Sequence, residues 1–410
     1  MNVKERVTRL GVLISLVVMC VYGSNERTGW GFGGVPAINY NADDGFGYGV
    51  VLNFFYYSRG GYRPYYFQLK PIIFFTTGGK QDHSLFFDSP YVLGKGLRIN
   101  FLVKYLKENY YPYYGPGNSS EFCSEYVEVD KDGNPLDTLH GRHYYNFQTE
   151  QIRTILNLQK KIYEEGGRKI FVLGGCGLFK ARNSYCKNNG IKTLLQKDVE
   201  NGVIDPEDIK GGVNSLLKLG IVYDSRDNEP APNKGVWFDV LIETYLKALG
   251  SYKSYYRLTI TDRRYFQLSK KLVYAQRVLF EKAGKEAPFY MLYPIGGSFR
   301  SDEGLGGYRT IRGVLKNRYL GRTKFLANFE LRYRFYETEV KGQDVYLAFN
   351  IFYDVGRVWW DKNDRGFGNL HAGKGGGLHI GLNENFIVYA EMGFSREAGG
   401  QLYLDLGYLF

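Results

Sequence analysis

The stretch Lys324-Phe325-Leu326-Ala327-Asn328-Phe329-Glu330-Leu331-Arg332-Tyr333-Arg334-Phe335 splits cleanly by parity. Even positions carry Lys324, Leu326, Asn328, Glu330, Arg332 and Arg334; odd positions carry Phe325, Ala327, Phe329, Leu331, Tyr333 and Phe335. Successive side chains of a β-strand point to opposite faces, so this segment is a strand with one wet and one apolar surface. The segment that follows repeats the design. Asp344, Tyr346, Ala348, Asn350, Phe352 and Asp354 alternate with Val345, Leu347, Phe349, Ile351, Tyr353 and Val355. The last residues set Leu402, Leu404, Leu406, Tyr408 and Phe410 against Gln401, Tyr403, Asp405, Gly407 and Leu409. Past residue 23 no segment sustains a helical period.

A soluble sandwich would bury the apolar face and wet the other. An outer-membrane barrel would turn the apolar face to lipid and line its lumen with the polar one. Strand-like segments of ten or more residues recur here without a helical domain to cover them. The apolar parity is rich in aromatics, which suit interfacial girdles, and aromatics make 17% of the 410 residues. The chain also stops inside a strand pattern. These features predict an all-β fold, a transmembrane antiparallel β-barrel occupying residues 32–410. A mean hydropathy of −0.33 with 23% charged residues excludes a bundle of membrane helices.

Sixteen strands can be placed, from 32–41 to 401–410, an even number as single-chain barrels require. The longest connectors, near 108–142, 183–212 and 284–320, follow strands 5, 7 and 11 and so share one side. The other side receives turns such as Arg59-Gly60-Gly61, Glu164-Glu165-Gly166-Gly167 and Asn383-Glu384-Asn385. Short periplasmic turns and long external loops are the barrel pattern. Closure brings strand 1 to strand 16. Pro36 cannot donate to a ladder, so Pro36 and the terminal Phe410 mark an expected weak seam.

The first residues read as a targeting segment. Lys4, Arg6 and Arg9 precede the apolar run Leu10 to Tyr22, and a cut ahead of Ser24 would release residues 1–23 as a signal peptide. Removing Lys4, Arg6, Arg9 and Glu5 lowers the formal charge from +11 to +9. Export argues against nucleic acid as a partner and favours anionic lipid headgroups of the outer membrane. It also places Cys123, Cys176 and Cys186 in an oxidising space. A Cys123–Cys186 disulfide is one expectation, three unpaired thiols the other.

Catalytic and metal signals are weak. His140-x-x-His143 has no nearby carboxylate or thiol cluster, and Gly373-Lys374-Gly375-Gly376-Gly377 lacks the spacing of a phosphate loop. No Ser/His/Asp arrangement is present, so no catalytic residue, metal or cofactor is expected. Asp224, Arg226 and Asp227 read as a salt-bridged corner at a periplasmic turn.

Glu330 and Asp354 fall on the polar parity of adjacent strands and should both face the lumen. An arginine from an inward-folding loop would find an acidic pair there, matched to the planar fork of its guanidinium. The long loop after strand 11 opens on Ile295-Gly296-Gly297 and continues through Thr310-Ile311-Arg312-Gly313-Val314 to Arg318-Tyr319-Leu320-Gly321. Strand 12 then carries Asn328-Phe329-Glu330-Leu331-Arg332, and strand 13 ends Phe352-Tyr353-Asp354-Val355-Gly356-Arg357-Val358-Trp359. Upstream, Tyr223-Asp224-Ser225-Arg226-Asp227-Asn228 precedes Pro232-Asn233-Lys234-Gly235.

In this order and spacing, most clearly over 213–410, these segments resemble the BamA/TamA superfamily, also called the bacterial surface antigen family. The resemblance implies a sixteen-stranded barrel in the outer membrane of a Gram-negative-type bacterium, used for protein insertion or secretion and not an enzyme. It implies that the loop between strands 11 and 12 folds inward, with Arg312 and Gly313 at its tip, Asp354 as first wall partner and Glu330 as second. The family usually has an aromatic after Arg-Gly, where this chain has Val314. Its insertases carry periplasmic POTRA domains, whereas only Ser24 to Gly31 separate the expected cut from strand 1, so the resemblance is to a form without them. Unfolded outer-membrane or secreted proteins and accessory periplasmic subunits are the implied partners. A structural or passive-pore barrel is the alternative.

Overall fold

The computed structural model describes residues 28–41, 45–130, 134–299, 303–340, 343–361, 364, 366–383 and 385–410. The signal peptide expected over 1–23 and the start of the segment expected over 24–31 lie outside these residues.

Sixteen strands form one antiparallel sheet in chain order. The first half comprises β1 (Trp30–Asn41), β2 (Gly45–Tyr56), β3 (Phe67–Thr76), β4 (Gln81–Ser89), β5 (Leu97–Pro112), β6 (Asn146–Glu165), β7 (Arg168–Tyr185) and β8 (Gly212–Asp224). The second comprises β9 (Gly235–Tyr245), β10 (Tyr255–Gln267), β11 (Leu272–Ala283), β12 (Thr323–Val340), β13 (Gln343–Trp359), β14 (His371–Leu382), β15 (Phe386–Ser395) and β16 (Gln401–Leu406). The fold is an all-β antiparallel barrel, with the loop between β11 and β12 folded into it.

Its burial is inverted relative to a water-soluble sheet. Lys324, Asn328, Glu330 and Arg332 of β12 are buried, while Tyr333 and Phe335 are exposed. On β8, Leu219 is 63% and Ile221 56% exposed, whereas their neighbour Lys218 is 1% exposed. A polar interior and an apolar outer band are what a lipid-embedded barrel requires. No described helix is long and apolar enough to cross a membrane.

Strand ends depart from the alternation where glycine intervenes. β6 runs on to Glu165, so its turn into β7 shrinks to Gly166-Gly167, with φ of 56° and 79°. The last strand, expected over 401–410, stops at Leu406. Gly407 turns the chain at φ 94°, and residues 407–410 leave the wall for the lumen.

The connectors after β5, β7 and β11 gather on one side. Helix α1 (Leu194–Glu200) lies there, started by a reciprocal cap between Thr193 and Gln196. Buried Tyr113, Phe147, Leu195, Phe289 and Tyr290 form an apolar cluster that ties these loops together across the barrel mouth.

Candidate functional site

The loop between β11 and β12 docks at two levels. At its tip, Arg312 donates from Nε to Asp354 Oδ2 at 2.8 Å and from Nη2 to Oδ1 at 2.9 Å, and its backbone N–H reaches Oδ2 at 3.0 Å. Nη1 bridges Glu330 at 2.7 Å and Glu391 at 2.9 Å. The guanidinium also lies 3.6 Å from the ring centroid of Phe352. The wall therefore supplies the ring that Val314 does not. Three carboxylates around one arginine would repel one another. Arg332 relieves this by donating to Glu330 Oε2 at 2.8 and 2.6 Å, and His379 Nε2 sits 3.0 Å from Glu391. Asn328 and Asn350 complete the set, donating to Asp354 and Glu391 at 2.7 Å each.

Glycines allow this approach. A Cβ on Gly373 would fall 1.8 Å from the Arg312 carbonyl oxygen, and one on Gly313 would fall 2.5 Å from the backbone of Phe394. Gly313 has φ 91°, and its N–H donates to Tyr403 Oη at 2.8 Å. The glycine run of β14 is thus a bed for the loop tip.

The second level is a ladder of alternating charge on five consecutive strands. Lys218, Glu243, Arg257, Glu281 and Lys324 follow one another at 3.3, 3.2, 3.7 and 2.6 Å. The descending limb of the loop hangs on it. Gly296 N–H donates to Glu281 at 2.7 Å, Lys218 donates to the Gly297 carbonyl at 2.9 Å, and Arg257 donates to the Met291 carbonyl. Further down, Gln159 and Asn157 donate to the carbonyls of Ser298 and Phe299, both at 3.3 Å.

Phe299 terminates this limb at the end of the barrel away from the long connectors, among Arg98 and Trp237. Its ring lies 4.5 Å from the Arg98 guanidinium and 5.5 Å from Trp237. Arg98 grips Asp88 through two bonds, at 2.8 and 2.6 Å, and reaches Glu229 of the β8–β9 turn at 2.8 Å. That turn starts on the Asp224–Arg226 pair, at 2.9 and 2.7 Å, and carries Ala231 inward against Tyr346, Ala348 and Ile387 on the other side. The loop from one face and the turn from the other meet through Arg98.

The ends of the sheet form the third feature. Among the described residues no ladder joins β1 to β16. In β1, Pro36 lies opposite Val50, and a Cβ on Gly33 would fall 2.4 Å from the ring of Phe386 at the start of β15. Asn385 donates to Tyr57 Oη at 2.9 Å and to the Pro64 carbonyl at 2.6 Å. Phe410 does not lie at the seam. Its side chain is buried beside Tyr265 and Ala275, and Arg332 donates to its carbonyl at 3.1 Å. The Cys123–Cys186 disulfide is not formed. Buried Cys186 instead donates to the Asn109 carbonyl at 3.4 Å. His140 and His143 are packing residues, stacked on Tyr126 and Tyr110.

Glu391, His379 and the charge ladder carry no motif of their own, and the strand 12 segment that contains Arg332 assigns it no role. A scan for charged residues on the inward parity of each strand would have found them.

A family model described as the Omp85 superfamily domain matches residues 75–386. The chain belongs to the Omp85 superfamily. Among solved structures, this Omp85 chain is similar to CdiB from Escherichia coli, with a TM-score of 0.56 and 10% identity over 92% of this chain and 61% of that one. CdiB from Acinetobacter baumannii gives 0.50 and 13%, over 92% and 59%. BamA from Haemophilus ducreyi lacking POTRA domains 1–3 gives 0.49 and 15%, over 99% and 76%. The chain thus spans about three-fifths of the CdiB chains, and at such identities the likeness is one of fold. No curated protein matches it significantly. Omp85 proteins are outer-membrane barrels, and the inverted burial of this one agrees with that setting.

Proposed function

We propose that this chain is an outer-membrane Omp85 barrel that assists insertion or translocation of protein through the seam between β1 and β16. The observation that carries the reading is the seam itself. Every other neighbouring pair of strands is laddered, whereas β1 and β16 share no ladder among the described residues and β16 holds only six residues. An unpaired strand edge in hydrocarbon costs several kcal/mol per group, so such an edge is primed to accept the strand of a client. The occupied lumen supports a lateral route over an open channel, because the β11–β12 loop is held from the Arg312 tip to the Phe299 floor.

In this role the chemistry is mechanical. Arg312 and its three carboxylates hold the loop as an inner strut, so the wall from β12 to β15 stays rigid beside a loose seam. Clients are unfolded outer-membrane or secreted proteins, delivered by accessory periplasmic subunits. Outer-membrane lipid is the solvent of the apolar band.

Reconstitution tests the reading. Proteoliposomes should fold a denatured barrel substrate faster than empty liposomes, and a cysteine pair cross-linking β1 to β16 should abolish the gain until reduced. No gain over empty liposomes would overturn it. Steady ion conductance without a gain would mark the chain as a passive pore.

A further inference from the structure

An internal cavity lies between the descending limb of the β11–β12 loop and the wall formed by β6 to β10. Arg153, Phe179, Leu216, Tyr245, Arg257 and Met291 line it, and its free space admits an occupant of roughly water size. The lining is mostly apolar except for the two guanidinium groups. Arg153 belongs to the inward parity of β6, between buried Gln151 and Ile155, and lies 4.7 Å from the ring centroid of its cross-strand neighbour Phe179. Among the described residues Arg153 makes no close ion pair or hydrogen bond, its ring contact aside, and feels the Glu243 carboxylate only at longer range. Arg257, 1% exposed, leaves its Nε donor without a hydrogen bond, the nearest carboxylate oxygen being Glu281 Oε1 at 3.7 Å.

The charge balance points the same way. Among the described residues in this part of the lumen, Lys218, Arg257, Lys324 and Arg153 are cations, and Glu243 and Glu281 are the carboxylates that oppose them. The carbonyls of Met291 and Gly297 relieve Arg257 and Lys218 but bring no net charge. Lys218, Arg257 and Lys324 are buried and Arg153 is half-buried, and a buried charge left uncompensated is among the costliest arrangements a protein can hold. Water in the cavity could satisfy a donor, though it would not neutralise an excess of two positive charges.

We propose that this cavity binds one small inorganic anion of the halide class, chloride in a saline environment, between the guanidinium of Arg153 and the free Nε of Arg257. The ion serves as counter-ion to the charge ladder and so fastens the loop limb to the wall. Its size excludes sugars, nucleotides and phospholipid headgroups. The site does not depend on any role for the seam.

The test uses the full-length protein in detergent, following the heat-induced shift between its folded and unfolded gel bands. Sodium chloride and sodium gluconate are compared at equal ionic strength, because gluconate is too large to enter. The midpoint should rise by a few degrees with chloride and then level off as the site fills. In gluconate it should stay flat. Arg153→Met should fold, lose the chloride response, and show in both salts a midpoint above that of the wild type in gluconate. An equal response of the wild type to both salts would overturn the proposal, as would a chloride response retained by Arg153→Met. Should that variant fail to fold, titration of the wild-type protein with sodium bromide in gluconate buffer decides. A saturable heat supports the site, and its absence overturns it.

Discussion

Arg312 and Asp354 are joined by three hydrogen bonds, two from the guanidinium fork and one from the backbone N–H of the same arginine. The side-chain fork fixes the orientation of the loop tip, and the backbone bond fixes its depth. Neither group has access to water, since Arg312 is 1% and Asp354 0% exposed.

Arg312→Ala should therefore lower the stability of the barrel by about 3–5 kcal/mol, the usual loss when one partner of a buried ion pair is truncated. It strands Asp354, Glu330 and Glu391 without their shared cation. Heat-modifiable gel mobility measures the effect, and Arg312→Lys should recover only part of it, because an ammonium cannot form the fork. An unchanged midpoint would contradict the pairing.

Gly373→Ala should displace the loop tip without removing a charge. The added methyl group would meet the Arg312 carbonyl oxygen at 1.8 Å, and backbone cannot yield as a side chain does. Trypsin added to intact cells should then cut the β11–β12 loop faster than in the wild type. Gly368→Ala is the control, since a Cβ there meets nothing within 4 Å.

At the floor, Glu229→Gln should weaken the link between the β8–β9 turn and Arg98 while leaving the Arg98–Asp88 grip intact. Single-channel recording in planar bilayers should show more frequent open events. Arg98→Met should show a larger increase, because Asp88 then loses its cation and Phe299 its stacking partner.

Amide hydrogen exchange should be fastest in β1 and β16 and slowest in β12 and β13, which are paired from Thr323 to Val340. Equal protection at the seam and in β12–β13 would remove the basis for a lateral opening.

Two carboxyls in the β7–β8 connector, Asp198 and Asp208, are raised by burial. Burial pushes the Asp198 carboxyl of α1 above its ordinary value, offset in part by the Tyr113 hydroxyl that donates to it at 2.6 Å. A carboxyl raised on folding favours the folded loop when protonated, so its contribution is present below the unfolded value near 4 and is lost as pH rises through the folded one. Limited proteolysis of the β7–β8 connector should thus be slower at about pH 4 than at neutral pH. Asp198→Asn should reduce the difference, leaving the share of Asp208.

The barrel could be read from the chain because a period of two is local. Lys324 to Phe335 displays its inner and outer faces within a single segment, and the same parity put Glu330 and Asp354 on the lumen side. Relationships between segments were less visible. The ladder from Lys218 to Lys324 needs the register of five strands, and no one segment contains it. Strands 14 and 15 could be placed as neighbours, but Glu391 did not stand out because its cross-strand partner is Gly377, which offers no side chain to mark a lumen-facing pair. Leu402 to Phe410 kept its alternation while the chain turned inward at Gly407, since a glycine with positive φ ends a strand without altering the pattern of residues around it. Cys123 and Cys186 showed how little spacing says about distance: both lie in the external loops, yet Cys186 is buried on the Asn109 carbonyl.

The row of opposite signs from β8 to β12 has a bearing on how the barrel is made. A hairpin that paired one residue out of step would turn its whole inner face outward and push Lys218, Glu243 or Arg257 into acyl chains. At mid-bilayer a lysine or arginine so placed costs about 2–4 kcal/mol, and each mismatched neighbour loses its own counter-charge as well. Misaligned intermediates are thereby penalised one strand at a time, long before the last hairpin arrives, and the growing sheet proofreads itself.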